Sequence, residues 1–193
     1  MRTQKIPAFT PDGLLPPGEY EVSFEELRQS VLILGPDDPG ELSLWDVDWR
    51  RQLVRNLEIL TRQLWQVGVR EVFVNGSFVE DNNHPGDIDG YFVCDFESWR
   101  TGELARKLNL LDPYKIWTWD HDSRRPYPRC SKEQLPMWHR YRVELYPHAP
   151  GRGIASGIRD RSGRPLEFPS AFRQSRDGGK PKGIIKLQYG GVQ

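Results

Sequence analysis

The chain has 193 residues, with 27 Lys and Arg against 27 Asp and Glu. That length suits one domain, or one domain with arms, and is enough to bury a sizeable core; the cancelled charge gives no global pull toward nucleic acid or a membrane surface. Two cysteines, Cys94 and Cys130, are too few for a disulfide scaffold, and they and the four histidines (His84, His121, His139, His148) lack zinc spacing, so the histidines read as surface or loop residues. No signal peptide is visible and no apolar run approaches the roughly 18 residues of a membrane span, so a cytoplasmic protein is expected.

Residues 1–22 are rich in Pro and Gly, with Phe9, Leu14 and Leu15 as apolar anchors, and read as an arm laid over the surface. Ser23-Phe24-Glu25-Glu26 has the Ser-x-x-Glu spacing of a capping box. Phe24, Leu27 and Val31 follow on one helical face, and the helix ends before Gly35-Pro36. Residues 35–45 read as a loop. The clearest periodic element comes next: Asp46 or Asp48 caps a helix whose Trp49, Leu53, Leu57, Leu60 and Leu64 recur at three- and four-residue steps, with Gly68 as a left-handed stop. Residues 69–74 then form a first strand.

That strand runs into Gly76-Ser77, and after a polar loop Asp87-Ile88-Asp89 opens a second apolar run. In an extended chain side chains alternate faces, so Asp87 and Asp89 share a face while Ile88 points into the other layer. Two carboxylates on one face repel unless a cation neutralises them. Mg2+, with Mn2+ as a substitute, fits best, because it takes oxygen ligands and is usually held by one or two carboxylates plus substrate phosphates. Gly76 lets backbone approach a phosphate closely, and the turn after it would aim N–H groups at an anion.

Downstream, residues 96–109 read as a helix with Trp99, Leu104 and Leu108 inward and Gly102 as a weak point. Residues 114–119 alternate as a strand, and the basic, Pro-rich residues 121–130 form a loop able to cover a ligand. Tyr127, Trp138 and Tyr141 are either core residues or aromatics placed to stack on a base. Residues 151–193 carry nine Lys or Arg against Asp160, Glu167 and Asp177. This basic extension includes Lys182 as a phosphate contact and suits a nucleic-acid acceptor. Tyr189, beside Gly190-Gly191, is either a packed tail residue or a hydroxyl able to reach the site for self-modification.

Gly76-Ser77 followed about ten residues later by Asp87-x-Asp89 between apolar runs resembles the polymerase beta-like nucleotidyltransferase superfamily, especially its minimal bacterial and phage members, over roughly Asp46 to Glu144. The ends, from Pro7-Ala8-Phe9 to Pro17-Gly18 and from Phe168-Pro169 to Lys182-Gly183-Ile184, also resemble an uncharacterised bacterial family, which brings no known activity. The superfamily resemblance implies an α+β fold, a small mixed sheet flanked by helices. On this chain the core would be residues 23–150, with arms at 1–22 and 151–193. It also implies a third carboxylate on a neighbouring strand. Glu144, standing between apolar neighbours in Tyr141-Arg142-Val143-Glu144-Leu145-Tyr146, is the best match, although Glu replaces the commoner Asp. The implied reaction moves an NMP or dNMP from a nucleoside triphosphate to a hydroxyl of a nucleic acid, nucleotide or protein and releases pyrophosphate. Asp87, Asp89 and Glu144 would hold the metal, and Gly76, Ser77 and Lys182 would hold the nucleotide. Two rivals stand beside it: a glycosyltransferase, which also uses Asp-x-Asp, and a weak or inactive regulator in a toxin–antitoxin or phage-defence pair, bound to a cognate partner protein.

Overall fold

The described part of the opening stretch is tied into the core and supplies an edge strand, rather than lying over the surface as an arm. Ile6 and Leu15 are buried, and Glu19–Val22 form β1, which pairs in parallel with β7 (Ile184–Leu187) near the other end of the chain. The computed structural model describes residues 6–36, 44–128, 132–152, 155–160, 162–175 and 179–191. Cys130, Arg161, Arg176 and Asp177 therefore lie outside the described residues.

Ser23 caps α1 (Phe24–Arg28) as expected: its hydroxyl accepts the Glu26 N–H at 3.2 Å, and the Glu26 carboxylate accepts the Ser23 N–H at 2.9 Å. The expected single helix breaks at Gln29-Ser30, where the Ser30 hydroxyl donates to the Leu27 carbonyl at 2.7 Å, and resumes as α2 (Val31–Leu34). Next comes α3 (Val47–Gln66). Asp46 accepts the Trp49 N–H at 2.9 Å at its start, and Gly68 at φ +93° follows its end. Leu53, Leu57, Leu60 and Leu64 are fully buried along one stripe. Each contributes about 1.5–3 kcal/mol by burial, which seats this helix on the sheet.

β2 (Val72–Asn75) leads through a 3-10 turn (Gly76–Val79) and a loop into β3 (Ile88–Val93). The helix expected over 96–109 is two: α4 (Phe96–Arg100) and α5 (Glu103–Leu111). Gly102, at φ +75°, ends the first by closing its N–H onto the Trp99 carbonyl at 3.0 Å. No strand forms over 114–119. Asn109 answers the Trp117 main chain from its side chain, accepting its N–H and donating to its carbonyl at 2.9 Å each, so no neighbouring strand is needed. The fully buried Trp117 ring explains the apolar alternation there. α6 (Pro136–Tyr141) and β4 (Val143–His148) follow, joined by Arg142 in the left-handed region. A hairpin of β5 (Ala155–Arg159) and β6 (Pro165–Glu167) and the short α7 (Phe168–Ala171) precede β7.

The protein is thus mixed α+β, with a five-stranded sheet in the order β1-β7-β2-β3-β4. The outer pairs β1–β7 and β3–β4 are parallel and the inner pairs antiparallel. Since β7 sits between β1 and β2, residues 184–187 are central to the fold rather than part of an extension beyond it. Alternation sorts the sheet's two faces. Val72, Val74, Ile88, Val143, Leu145, Ile185 and Leu187 join the main core under α3. Phe73, Tyr91 and Ile184 meet Phe168, Ala171 and Phe172 in a smaller cluster on the other face. Among the described residues no helix is long and apolar enough to cross a membrane.

Candidate functional site

The face that carries the smaller apolar cluster turns polar toward one end of its strands. Cross-strand register sets Asn75 of β2 opposite Asp89 of β3, and Asp89 opposite Glu144 of β4, in one row. Ile88 is buried in the core behind this row, while Asp87 and Asp89 both line a cleft of about 1050 Å³ in front of it. Gly76, Ser77, Glu144 and Lys182 line the same cleft. All six residues singled out in the sequence therefore meet in one place, although they come from four separated stretches.

Backbone geometry explains why Gly76 is glycine. It sits at φ +75°, and a Cβ there would lie 2.7 Å from Asp89 Oδ2, so the missing side chain makes room for the site carboxylate itself. Asn75 fixes this corner: its Oδ1 accepts the Gly76 N–H at 2.7 Å, and its Nδ2 donates to the Gly183 carbonyl at 3.1 Å. Lys182 is 4 % exposed; its ammonium donates to the Gly76 carbonyl at 3.2 Å and pairs with Glu80.

Sequence reasoning missed the group that holds the loop between Gly76 and Asp87. Arg50, on α3, has no exposed surface, and its two terminal nitrogens donate to four main-chain carbonyls. These are Leu32 at 2.7 Å, Phe78 at 2.8 Å, Glu80 at 3.2 Å and Asn82 at 2.6 Å. The guanidinium also lies 3.9 Å over the Trp45 ring. Burial pushes its pKa down to about 9, which leaves it charged near neutrality. From the preceding residue, Trp49 Nε1 donates to the Pro85 carbonyl at 2.6 Å and its ring stacks on His84, whose Nδ1 is 2.8 Å from Asp46 Oδ2. The Trp49 N–H and His84 hold the Asp46 carboxyl below its ordinary range. The only signal in the sequence was a charged residue on the otherwise apolar stripe of α3.

Glu144 is 5 % exposed and closely held. Oε1 accepts the Leu135 N–H at 2.9 Å and lies 3.7 Å from Arg124, and Oε2 accepts the Tyr146 hydroxyl. Burial, followed by the Glu144 charge, pushes the Tyr146 phenol well up. Asp87 Oδ2 accepts the Trp138 indole N–H at 2.6 Å. Carboxylate oxygens on one strand face fit a hard divalent cation, and the Asp87–Asp89 pair supplies them. Among the described residues, no three His, Cys, Asp or Glu side chains are gathered tightly enough to hold a metal ion, and Glu144 faces its own donors.

One expectation changes, and the alternatives left open for Trp138, Tyr141 and Tyr189 fall on the side of packing. Trp138 and Tyr141 are buried, and neither they nor Tyr127 line the cleft: the Tyr141 hydroxyl donates to Asp112 at 3.1 Å, inside a buried network with Gln63 and Trp117. Tyr189 stands edge-on to Trp65 under Arg70, at the far end of β7 from Lys182, so its hydroxyl does not reach the site of its own chain. His148 is buried rather than exposed, packed edge-on against Tyr91. From the loop that follows the Trp-rich segment, His121 and Arg124 do line the cleft.

Fold and site together define a mixed α+β protein whose central sheet ends in an acidic row facing a cleft. The chain belongs to a family of unknown function, DUF6932, whose sequence profile matches residues 7–188. Comparison with curated proteins and with solved structures gives no match.

Proposed function

We propose that this cleft transfers a nucleoside monophosphate from a nucleoside triphosphate to a hydroxyl, as polymerase beta-like nucleotidyltransferases do. The observation that carries the reading is the Asn75–Asp89–Glu144 row, with Asp87 one alternation earlier on the same strand face and the Gly76–Ser77 turn and Lys182 on the same cleft. Asp87 and Asp89 would hold Mg2+, or Mn2+ in its place. A divalent ion supplies charge neutralisation on the triphosphate and a lowered pKa for the attacking hydroxyl. Lys182, Ser77 and Arg124 are the groups that orient the phosphates; the hydroxyl oxygen bonds to the α-phosphorus as its bond to the β-phosphate oxygen breaks, and pyrophosphate leaves. Glu144 borders the attacking side and accepts the hydroxyl proton directly or through water.

A second reading rests on the closure of Glu144 by Leu135, Tyr146 and Arg124: a regulator or binding partner, of the toxin–antitoxin or phage-defence kind, that keeps the cleft without turnover. Incubation with each α-labelled NTP and dNTP in Mg2+ or Mn2+, followed by assay for pyrophosphate, separates the two. Transfer that vanishes in Asp87→Asn and Asp89→Asn, with unfolding curves no less stable than wild type, is expected. Transfer persisting in either variant refutes the metal assignment, binding without turnover favours the regulator, and release of a nucleoside diphosphate from nucleotide sugars supplied in a parallel incubation points to glycosyl transfer.

A further inference from the structure

Resting on the reading of Asp87 as a metal ligand, we infer that Trp138 is a positioning residue that fixes the Asp87 carboxylate for its cation. Asp87 stands just ahead of β3, on the loop side of the strand, where strand pairing does not restrain its side chain. One restraint comes from another element: the indole Nε1–H of Trp138 donates to Oδ2 at 2.6 Å, a short charge-assisted bond. The donor is itself locked. Trp138 is 3 % exposed, the Arg142 guanidinium lies over its ring at 3.8 Å and over the Tyr127 ring at 4.3 Å, and the Tyr127 ring itself meets Trp138 edge-on at 5.0 Å. Arg142 takes up this place because it adopts φ 54° at the turn from α6 into β4, and its carbonyl accepts the Ile88 N–H at 3.0 Å. One turn of chain, residues 138–144, therefore delivers both the donor for Asp87 and the neighbouring acid Glu144.

Such outer partners set the rotation of a ligating carboxylate, and their loss typically weakens metal binding about 10–100-fold. Trp138→Phe keeps an aromatic ring and removes the donor together with part of the indole's volume. Calorimetric titration with Mg2+ and with Mn2+ should show affinity at least about tenfold weaker than wild type, whatever fall in thermal midpoint the lost indole volume brings. A purely packing role moves the midpoint and leaves the affinity alone. In a ¹⁵N-tryptophan-labelled sample, the Trp138 indole resonance is identified by its loss in Trp138→Phe, or by its displacement in Asp87→Asn should that variant not fold. It should shift saturably with Mg2+, with a midpoint equal to the calorimetric Kd. Wild-type or tighter Mg2+ affinity in Trp138→Phe, or an indole resonance indifferent to Mg2+ that the wild type demonstrably binds, overturns the positioning role while leaving the metal site standing. Failure of wild-type protein to bind either ion overturns both.

Discussion

Replacing Arg50 with Met tests whether the loop between the glycine turn and the aspartates is held from α3. The substitution keeps most of the volume and removes every donor. Two of the four carbonyls, those of Leu32 and Phe78, are bonded inside the protein, whereas those of Glu80 and Asn82 are partly open and regain water. Each buried carbonyl left unpaired costs about 1–3 kcal/mol, so the loss is about 2–6 kcal/mol. A chain of this size loses roughly 2–4 °C per kcal/mol, and a mid-range ~4 kcal/mol predicts a fall in thermal midpoint of roughly 8–16 °C. Arg50→Lys keeps the charge but gathers its donors on one atom, which cannot span carbonyls on both sides, so it falls between the two. Urea unfolding measures the energy. Amide exchange locates it: residues 78–86 should exchange faster in Arg50→Met while the β1–β7 pair does not. A loss under about 1 kcal/mol, or unchanged exchange in that loop, refutes the clamp.

Gly76→Val places a β-branched residue at φ +75° with its Cβ against Asp89. It should cost about 1–2 kcal/mol in stability and raise the KM for NTP while lowering kcat; normal NTP binding by calorimetry shows that this turn does not cradle the triphosphate. Glu144→Gln keeps an acceptor for the Leu135 N–H, so NTP binding in Mg2+ should survive while kcat falls with little change in KM; equal loss of binding and rate moves the residue onto the triphosphate metal. Burial lowers the His148 pKa below its ordinary 6.5, partly offset by Glu167. The unfolded chain therefore takes up a proton near pH 6.5 that the folded chain resists: stability is full above that pH and declines as pH falls through the window beneath it. His148→Gln should flatten the drop in urea midpoint between pH 7 and 5.5, and an unchanged slope assigns the drop to other groups.

The elements written in local patterns were legible in the sequence. The α3 stripe, the Ser23 capping box and the Asp87–Ile88–Asp89 alternation each depend on neighbours within a few residues, and each has the expected form. Aromatic alternation misled at 114–119, because Trp117 is buried by packing while Asn109 satisfies its backbone. The long-range pairings left no local trace. Nothing in Glu19–Val22 or Ile184–Leu187 announces that they pair with each other, and the polar, Pro-rich segments beside them read as arms. Arg50 was hidden for the same reason: its four partners are carbonyls, which every residue has.

The place of β7 between β1 and β2 sets a timetable for the nascent chain. β2, with Val72-Phe73-Val74 on it, leaves the ribosome long before its partner at Ile184–Leu187 is translated; at about 5–20 residues per second the gap is on the order of ten seconds. Through that interval the strand carries an unpaired edge of N–H and C=O groups, the kind of template that pairs with a foreign chain. The Asn75–Gly183 bond and the Lys182 ammonium arrive with the same late segment. Synthesis of residues 182–187 therefore supplies the last groups of the cleft and closes the sheet in one step, and no nascent chain that stops short of them holds all the groups that line it.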